Sequence, residues 1–245
     1  MLLILGRHGK AAHNQAYELH QAAYAAREQD LRPRESRSDR GATLMAPTLA
    51  SHYYPQHGDF AAPLIDSGVR QARSAGRYMR QHGYTPDIVC VSPLLRTMET
   101  WRAYGFNGIP ARVEPRLREQ DGGLFDRRPL GETEDLRRKY ADEARRSIDA
   151  QPPDGESIRR HRYRVESWLR ETVVRYGEEG CAVLAVTHYG SIGLLGALCE
   201  GIDERVYLQA RPPEITPGYG DLLAYRYHPR AGSWTREFVF RNPAR

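Results

Sequence analysis

The sequence predicts an α/β fold around a mainly parallel sheet. Three observations carry that expectation. Short apolar runs at Leu2–Leu5, Asp87–Val91 and Cys181–Val186 read as buried strands. Segments with helical composition or period lie between them, at 11–29, 66–82 and 156–176. Strands that alternate with helices imply parallel pairing through crossovers.

Taken in order, Leu2–Leu5 ends at Gly6, as a strand meeting a turn does. Residues 11–29 are rich in helix formers. Residues 30–63 mix proline, glycine and charge without a sustained period, which predicts an irregular insertion rather than a second domain. In 66–82, Val69, Ala72, Ala75 or Gly76, and Met79 trace one helix face, with Asp66 or Ser67 as the expected N-cap. After the strand at Asp87–Val91, Pro93 is expected to open a helix that runs to Tyr104. A short strand at Ala111–Glu114 precedes a loop over 115–131. Residues 132–149 and 156–176 are amphipathic and predict two helices, and a helix of small residues follows Cys181–Val186 from Gly190. Asp221–His228 and Ser233–Phe240 alternate as a hairpin does, turning at Arg230–Gly232, which makes the expected sheet mixed.

A chain of 245 residues is long enough to bury a sizeable core. No apolar run approaches the roughly 20 residues that cross a bilayer, so no membrane partner is expected. The five-residue start Met1–Leu5 is too short for a secretory core of about 7–15 apolar residues; a cytoplasmic protein is expected. Cys90, Cys181 and Cys199 are odd in number and widely spaced, which argues against a disulfide framework and a cysteine zinc site. The net charge of +5 comes almost wholly from arginine, with Lys10 and Lys139 the only lysines. Acids are interleaved with these arginines, as between Arg27 and Arg40, which predicts a mixed-charge surface and no nucleic-acid partner.

Two histidines stand at equivalent points. His8 follows the first strand and His188 follows the strand at Cys181–Val186. Ligands gather at the carboxyl ends of strands in open α/β sheets. Arg7 precedes His8, and Arg96 lies in the first turn of the helix after Asp87–Val91. Arginine forks and helix N-termini suit a phosphate dianion.

The contexts of these residues sharpen the reading. Leu5–Gly9 with Asn14, Pro63–Ala72, Ser92–Thr100, Leu117–Glu119 with Gly122 and Gly123, Asp154–Ser157, and Val186–His188 occur in one order. Together they resemble the histidine phosphatase superfamily, which includes the cofactor-dependent phosphoglycerate mutases. The likeness spans about residues 1–200. It implies a single-domain, three-layer α/β/α sandwich over 1–245 and a phosphatase that needs no metal or other cofactor. His8 would be the nucleophile that forms a phosphohistidine. Arg7, Arg96 and His188 would neutralise phosphoryl oxygens, and Asn14 and Tyr189 would add phosphate contacts. Glu119 would be the general acid and base. Ser92, Glu156 and Ser157 are expected to cap or shape helices.

The pattern also has departures. Lys10 and Ala11 replace the usual Glu/Gln and Thr/Ser after the first histidine. Lys10 is either a positive rim charge or a solvent-facing lysine. Gly193 stands where many members carry arginine, which predicts a less basic or more open wall. The long stretch from Asn14 to Leu64 holds His52, Tyr53, Tyr54 and His57, and is either part of a substrate pocket or a surface excursion. The basic run Arg159–Arg164 is expected on a charged helix surface. His8 and His13 have no carboxylate or cysteine at metal-ligand spacing.

The expected substrate is a small phosphorylated metabolite. A mutase is the nearest rival, but Glu119 is followed by Gln120-Asp121-Gly122-Gly123 rather than the mutase pattern Arg-His-Tyr-Gly. A non-catalytic phosphate-binding member of the fold is the other rival. The C-terminal hairpin offers an edge for a homodimer, although the pattern does not fix an oligomeric state.

Overall fold

A computed structural model describes residues 1–30, 61–128 and 130–244. The insertion expected at 30–63, with His52, Tyr53, Tyr54 and His57, lies almost wholly outside the described residues. The chain order is β1 (Leu2–Arg7), α1 (Ala12–Asp30), α2 (Asp66–Gln81), β2 (Ile88–Val91), α3 (Leu95–Tyr104), β3 (Ala111–Val113), α4 (Leu124–Arg127), α5 (Leu130–Ala144), α6 (Ile158–Tyr176), β4 (Ala182–Thr187), α7 (Tyr189–Glu200), α8 (Glu204–Ala210), β5 (Leu222–His228) and β6 (Ser233–Phe240). No helix of the described residues is long and apolar enough to cross a membrane.

The strands form one six-stranded sheet in the order β3-β2-β4-β1-β5-β6. β3, β2, β4 and β1 are parallel; β5 and β6 run antiparallel. This is the mixed α/β sheet that the pattern predicts. Alternate residues of β1 face opposite ways, because side chains in a strand alternate between its two faces. Leu3 and Leu5 pack toward Trp168, Leu169 and Leu195 of α6 and α7. Leu2 and Ile4 pack toward Ala72, Ala75, Met79 and Trp101 of α2 and α3. Both faces of the sheet are therefore covered, which gives three layers. A buried Leu or Ile contributes about 1.5–3 kcal/mol, so the central strands need no polar alternation.

Several local expectations are corrected. Ile65, not Asp66 or Ser67, takes the cap position of α2, and Asp66 enters the first turn, where a carboxylate suits the helix dipole. α3 begins two residues after Pro93, at Leu95. Residues 115–131 hold a 3-10 turn at Pro115–Leu117 and α4 as well as loop. Residues 201–220, for which the sequence predicts no element, contain α8 and a 3-10 turn at Pro213–Ile215. These elements are too short to carry a readable period.

Candidate active site

The register of the sheet assembles the site. Arg7 pairs with Thr187 across β1 and β4, so the next residues, His8 and His188, emerge side by side. The His8 amide donates to the Thr187 carbonyl at 3.1 Å, and the two ring centroids stand 5.1 Å apart. Val91 of β2 pairs with Val186, which places Ser92 beside them. The carboxyl ends of three adjacent strands thus converge on one point.

Glycines allow the close approach around His8. A Cβ on Gly9 would strike the backbone of Gly68, and one on Gly68 would strike that of Lys10. The Gly9 amide donates to Thr100 Oγ1 at 3.1 Å, and that hydroxyl donates to the Arg96 carbonyl at 2.7 Å. The loop carrying His8 is thereby tied to α3, which carries Arg96.

His8 is 3% exposed and His188 is fully buried. Burial pushes both imidazoles well below the ordinary histidine pKa, and the nearby Arg96 guanidinium adds to the effect. Both are therefore neutral at pH 7. His8 Nδ1 lies 2.7 Å from the Gly9 carbonyl oxygen. A carbonyl only accepts, so Nδ1 carries the proton and Nε2 keeps its lone pair. His188 Nε2 lies 2.7 Å from Ser92 Oγ, which also receives the Leu94 amide at 3.5 Å. Ser92 is thus a partner of His188 as well as a helix-end residue. His188 Nδ1 is buried without a hydrogen-bond partner among the described residues.

Arg7 and Arg96 are the cations beside these rings, with Arg96 only 1% exposed. Arg7 Nη1 donates to the Pro217 carbonyl at 2.7 Å, while its buried Nε has no hydrogen-bond partner among the described residues. Its guanidinium carbon sits 4.0 Å from the Tyr219 ring centre and 5.1 Å from that of Tyr189. Two aromatic faces therefore hold the cation in a cation–π contact. Burial lowers the Arg7 pKa, and the fields of Tyr219 and Glu119 oppose that shift.

Glu119 reaches the same place from the 3-10 turn after β3. Its Oε2 accepts from the Gly190 amide at 3.1 Å, at the N-terminus of α7, and its Oε1 accepts from the Gln120 amide at 3.0 Å. A Cβ on Gly190 would come within 2.5 Å of Oε1, so only glycine leaves the carboxylate its seat. Asn14 sits in the first turn of α1; its Oδ1 accepts from the Ala11 amide at 3.1 Å, and its Nδ2 lies 2.9 Å from His13 Nε2.

The structure brings Arg7, His8, Arg96, Glu119, His188 and Tyr189 into one neighbourhood, which Asn14 joins through its contact with His13. Two further rings stand beside His8 to which the sequence assigns no phosphate role: His13 and Tyr219, each with its centroid 6.2 Å from that of His8. The Pro217-Gly218-Tyr219-Gly220 turn leading into β5 was the available signal for Tyr219. Gly193 does not leave an opening: a Cβ there would lie 2.8 Å from the Tyr207 hydroxyl, so Tyr207 fills that wall. Lys10 forms an ion pair with Glu18, which offsets the rim charge. Ser157 caps α6 as expected, accepting from the Arg160 amide at 3.3 Å. The basic run is not all surface: His161 is 2% exposed, and Arg164 turns inward. No group of three or more His, Cys, Asp or Glu among the described residues is placed to hold a metal ion.

Comparisons with known proteins bear on the family and the fold. The family model of the histidine phosphatase superfamily (branch 1) matches residues 48–214, which include Arg96, Glu119, His188 and Tyr189. A 2,3-bisphosphoglycerate-dependent phosphoglycerate mutase of Methylobacterium radiotolerans is 31% identical over 66% of this chain and 77% of its own length. A phosphoglycerate mutase of Schizosaccharomyces pombe is 28% identical over 57% of this chain and 68% of its own. Among solved structures, a putative alpha-ribazole-5'-P phosphatase from Escherichia coli superposes with a TM-score of 0.69 at 19% identity, covering 99% of this chain and 97% of that one. A mycobacterial glucosyl-3-phosphoglycerate phosphatase gives 0.67 at 18% identity, covering 98% of each chain. Arg7 and His8 precede the matched segment, and the β1–β4 register is what seats them against His188. With its sheet, its paired histidines and a family match over most of its length, the chain belongs to branch 1 of the histidine phosphatase superfamily.

Proposed function

We propose that the chain is a metal-independent phosphatase that hydrolyses a small phosphomonoester through a phosphohistidine on His8. The observation that carries this reading is the neutral His8, whose Nδ1–H is held on the Gly9 carbonyl while Nε2 keeps its lone pair.

In the first step His8 Nε2 attacks phosphorus, and the bond to the leaving oxygen breaks as Glu119 gives that oxygen a proton. Arg7, Arg96 and His188 offset charge on the equatorial oxygens, where phosphoryl transfer needs it. Tyr189 and Asn14 complete the binding set. In the second step Glu119 takes a proton from water, the oxygen of that water attacks phosphorus, and the nitrogen–phosphorus bond breaks to release phosphate. General acid–base help of this kind is worth about 10²–10⁴ in rate. Free thiols at Cys90, Cys181 and Cys199 fit a reducing, cytoplasmic setting.

The sequence relatives named as phosphoglycerate mutases favour a second reading, in which the phosphoryl group returns to a substrate oxygen. The Gln120-Asp121-Gly122-Gly123 segment after Glu119 supports hydrolysis over that reading. The test is phosphate release from a panel of phosphomonoesters with EDTA present, beside a coupled assay for phosphoglycerate interconversion. Release that survives EDTA and disappears in His8→Ala is the expected result. Interconversion without net release would replace the phosphatase reading with the mutase one.

A further inference from the structure

The backbone that carries Glu119 is held by side chains from three other elements. Arg164 of α6 donates through Nη1 to the carbonyls of Arg116 and Arg118, each at 2.6 Å, and through Nη2 to that of Glu119 at 2.9 Å. Thr187 of β4 donates to the Leu117 carbonyl at 2.5 Å. Ser191 of α7 donates to the Arg118 carbonyl at 3.0 Å, and its hydroxyl also meets His161 Nε2 at 2.9 Å. Four consecutive carbonyls, from Arg116 to Glu119, are thus occupied.

Arg164 is the hub of this arrangement. Its Nε and Nη2 also donate to the two Glu156 oxygens, each at 2.7 Å. The two side chains are only 16% and 12% exposed. Glu156 in turn receives the Asp121 amide at 3.4 Å, and its carbonyl receives Gln120 Nε2 at 2.7 Å. A planar guanidinium serves this geometry because its fork reaches a carboxylate and several carbonyls at once; an ammonium does not. A half-buried arginine whose donors go mostly to the carbonyls of the segment carrying Glu119 is more than a structural ion pair, since such pairs by themselves add little net stability.

We propose that Arg164, held by Glu156, is a positioning residue for the acid–base step: it sets the height of the Glu119 carboxylate over the phosphoryl pocket. The proposal rests on Glu119 as general acid. It predicts a loss that depends on the leaving group. A good leaving group such as p-nitrophenolate departs without a proton, whereas an alkoxide needs one.

The test compares kcat/KM for p-nitrophenyl phosphate and an alkyl phosphate in wild type, Arg164→Lys, Glu156→Gln and Glu119→Gln, each checked for folding by circular dichroism. kcat/KM reports the steps through phosphoryl transfer to His8, so slow phosphohistidine hydrolysis does not enter. The expected result is a loss of about 10²-fold or more for Glu119→Gln on the alkyl ester. Arg164→Lys then loses about tenfold or more on that ester and less than about threefold on the aryl ester, with Glu156→Gln changing in the same direction by a smaller factor. If Arg164→Lys does not fold, Glu156→Gln decides the matter by the same ratio. Equal losses on both esters, or none, in a folded clamp variant while Glu119→Gln stays selective would overturn the clamp alone. A Glu119→Gln variant with no selectivity would remove the acid assignment, and the clamp with it.

Discussion

His8 Nδ1 stands 2.7 Å from the carbonyl oxygen of Gly9, the next residue in the chain. That contact decides which nitrogen can react. The proton is held on Nδ1, so a phosphoryl group attaches at Nε2. Phosphorus NMR of the trapped, denatured enzyme is expected to show the Nε2-linked isomer. An Nδ1-linked product would contradict the orientation described for His8.

Ser92 and His188 make the second such pairing, at 2.7 Å between fully buried partners. Removing the hydroxyl frees the imidazole to turn and leaves Nε2 unsatisfied. A buried hydrogen bond contributes about 1–1.5 kcal/mol, which corresponds to about tenfold in rate. Ser92→Ala is expected to lower kcat/KM by about that factor with the protein still folded. An unchanged kcat/KM would show that His188 is held by packing alone.

Gly190 separates activity from stability. Alanine is the better helix former by up to about 1 kcal/mol, but its Cβ would come within 2.5 Å of Glu119 Oε1 and 3.2 Å of His161 Cε1. Gly190→Ala is expected to displace the carboxylate and reduce kcat/KM by about tenfold or more, with Tm shifted by no more than about 4 °C. Full activity in a folded variant would mean that the carboxylate seat is not needed.

Three buried histidines set an acid limit on stability. Burial lowers the pKa of His8, His161 and His188 well below 6.5, and neighbouring arginines add to the shift. Below the unfolded value the unfolded chain takes up protons that the folded chain refuses, so stability falls as pH drops through about 6.5. Each histidine contributes up to about 1.4 kcal/mol per pH unit to that fall. Urea midpoints at pH 7.5 and 5.5 are expected to differ in that direction, and the difference should shrink in His161→Gln. Equal midpoints would show that these imidazoles are protonated in the folded protein.

The site is legible in the sequence wherever it is carried by a strand end. The apolar run before His8 and the one before His188 each announce a buried strand, and the residue just past a parallel strand lies at the ligand edge. Arg96 comes through its place in the first turn after a strand, whereas Glu119 comes only through the likeness of Leu117–Glu119 to the family's acid-bearing loop. What the sequence hides is long-range. Tyr219 meets Arg7 across 212 positions of chain, and a Tyr between two glycines has no period to betray it. Arg164 looks like one more charge in a basic run, because its partners are backbone carbonyls of another segment. Tyr207 fills the room beside Gly193 from a helix too short to show an amphipathic pattern.

The most direct test of the account is rapid mixing of the enzyme with a turned-over phosphomonoester, followed by quenching and mass spectrometry of the peptide that contains His8. The account predicts one added phosphoryl group on His8, lost in acid and kept in base, and absent from His8→Ala. Turnover by wild type with no phosphoryl group on His8, or phosphate release that persists in His8→Ala, would contradict it.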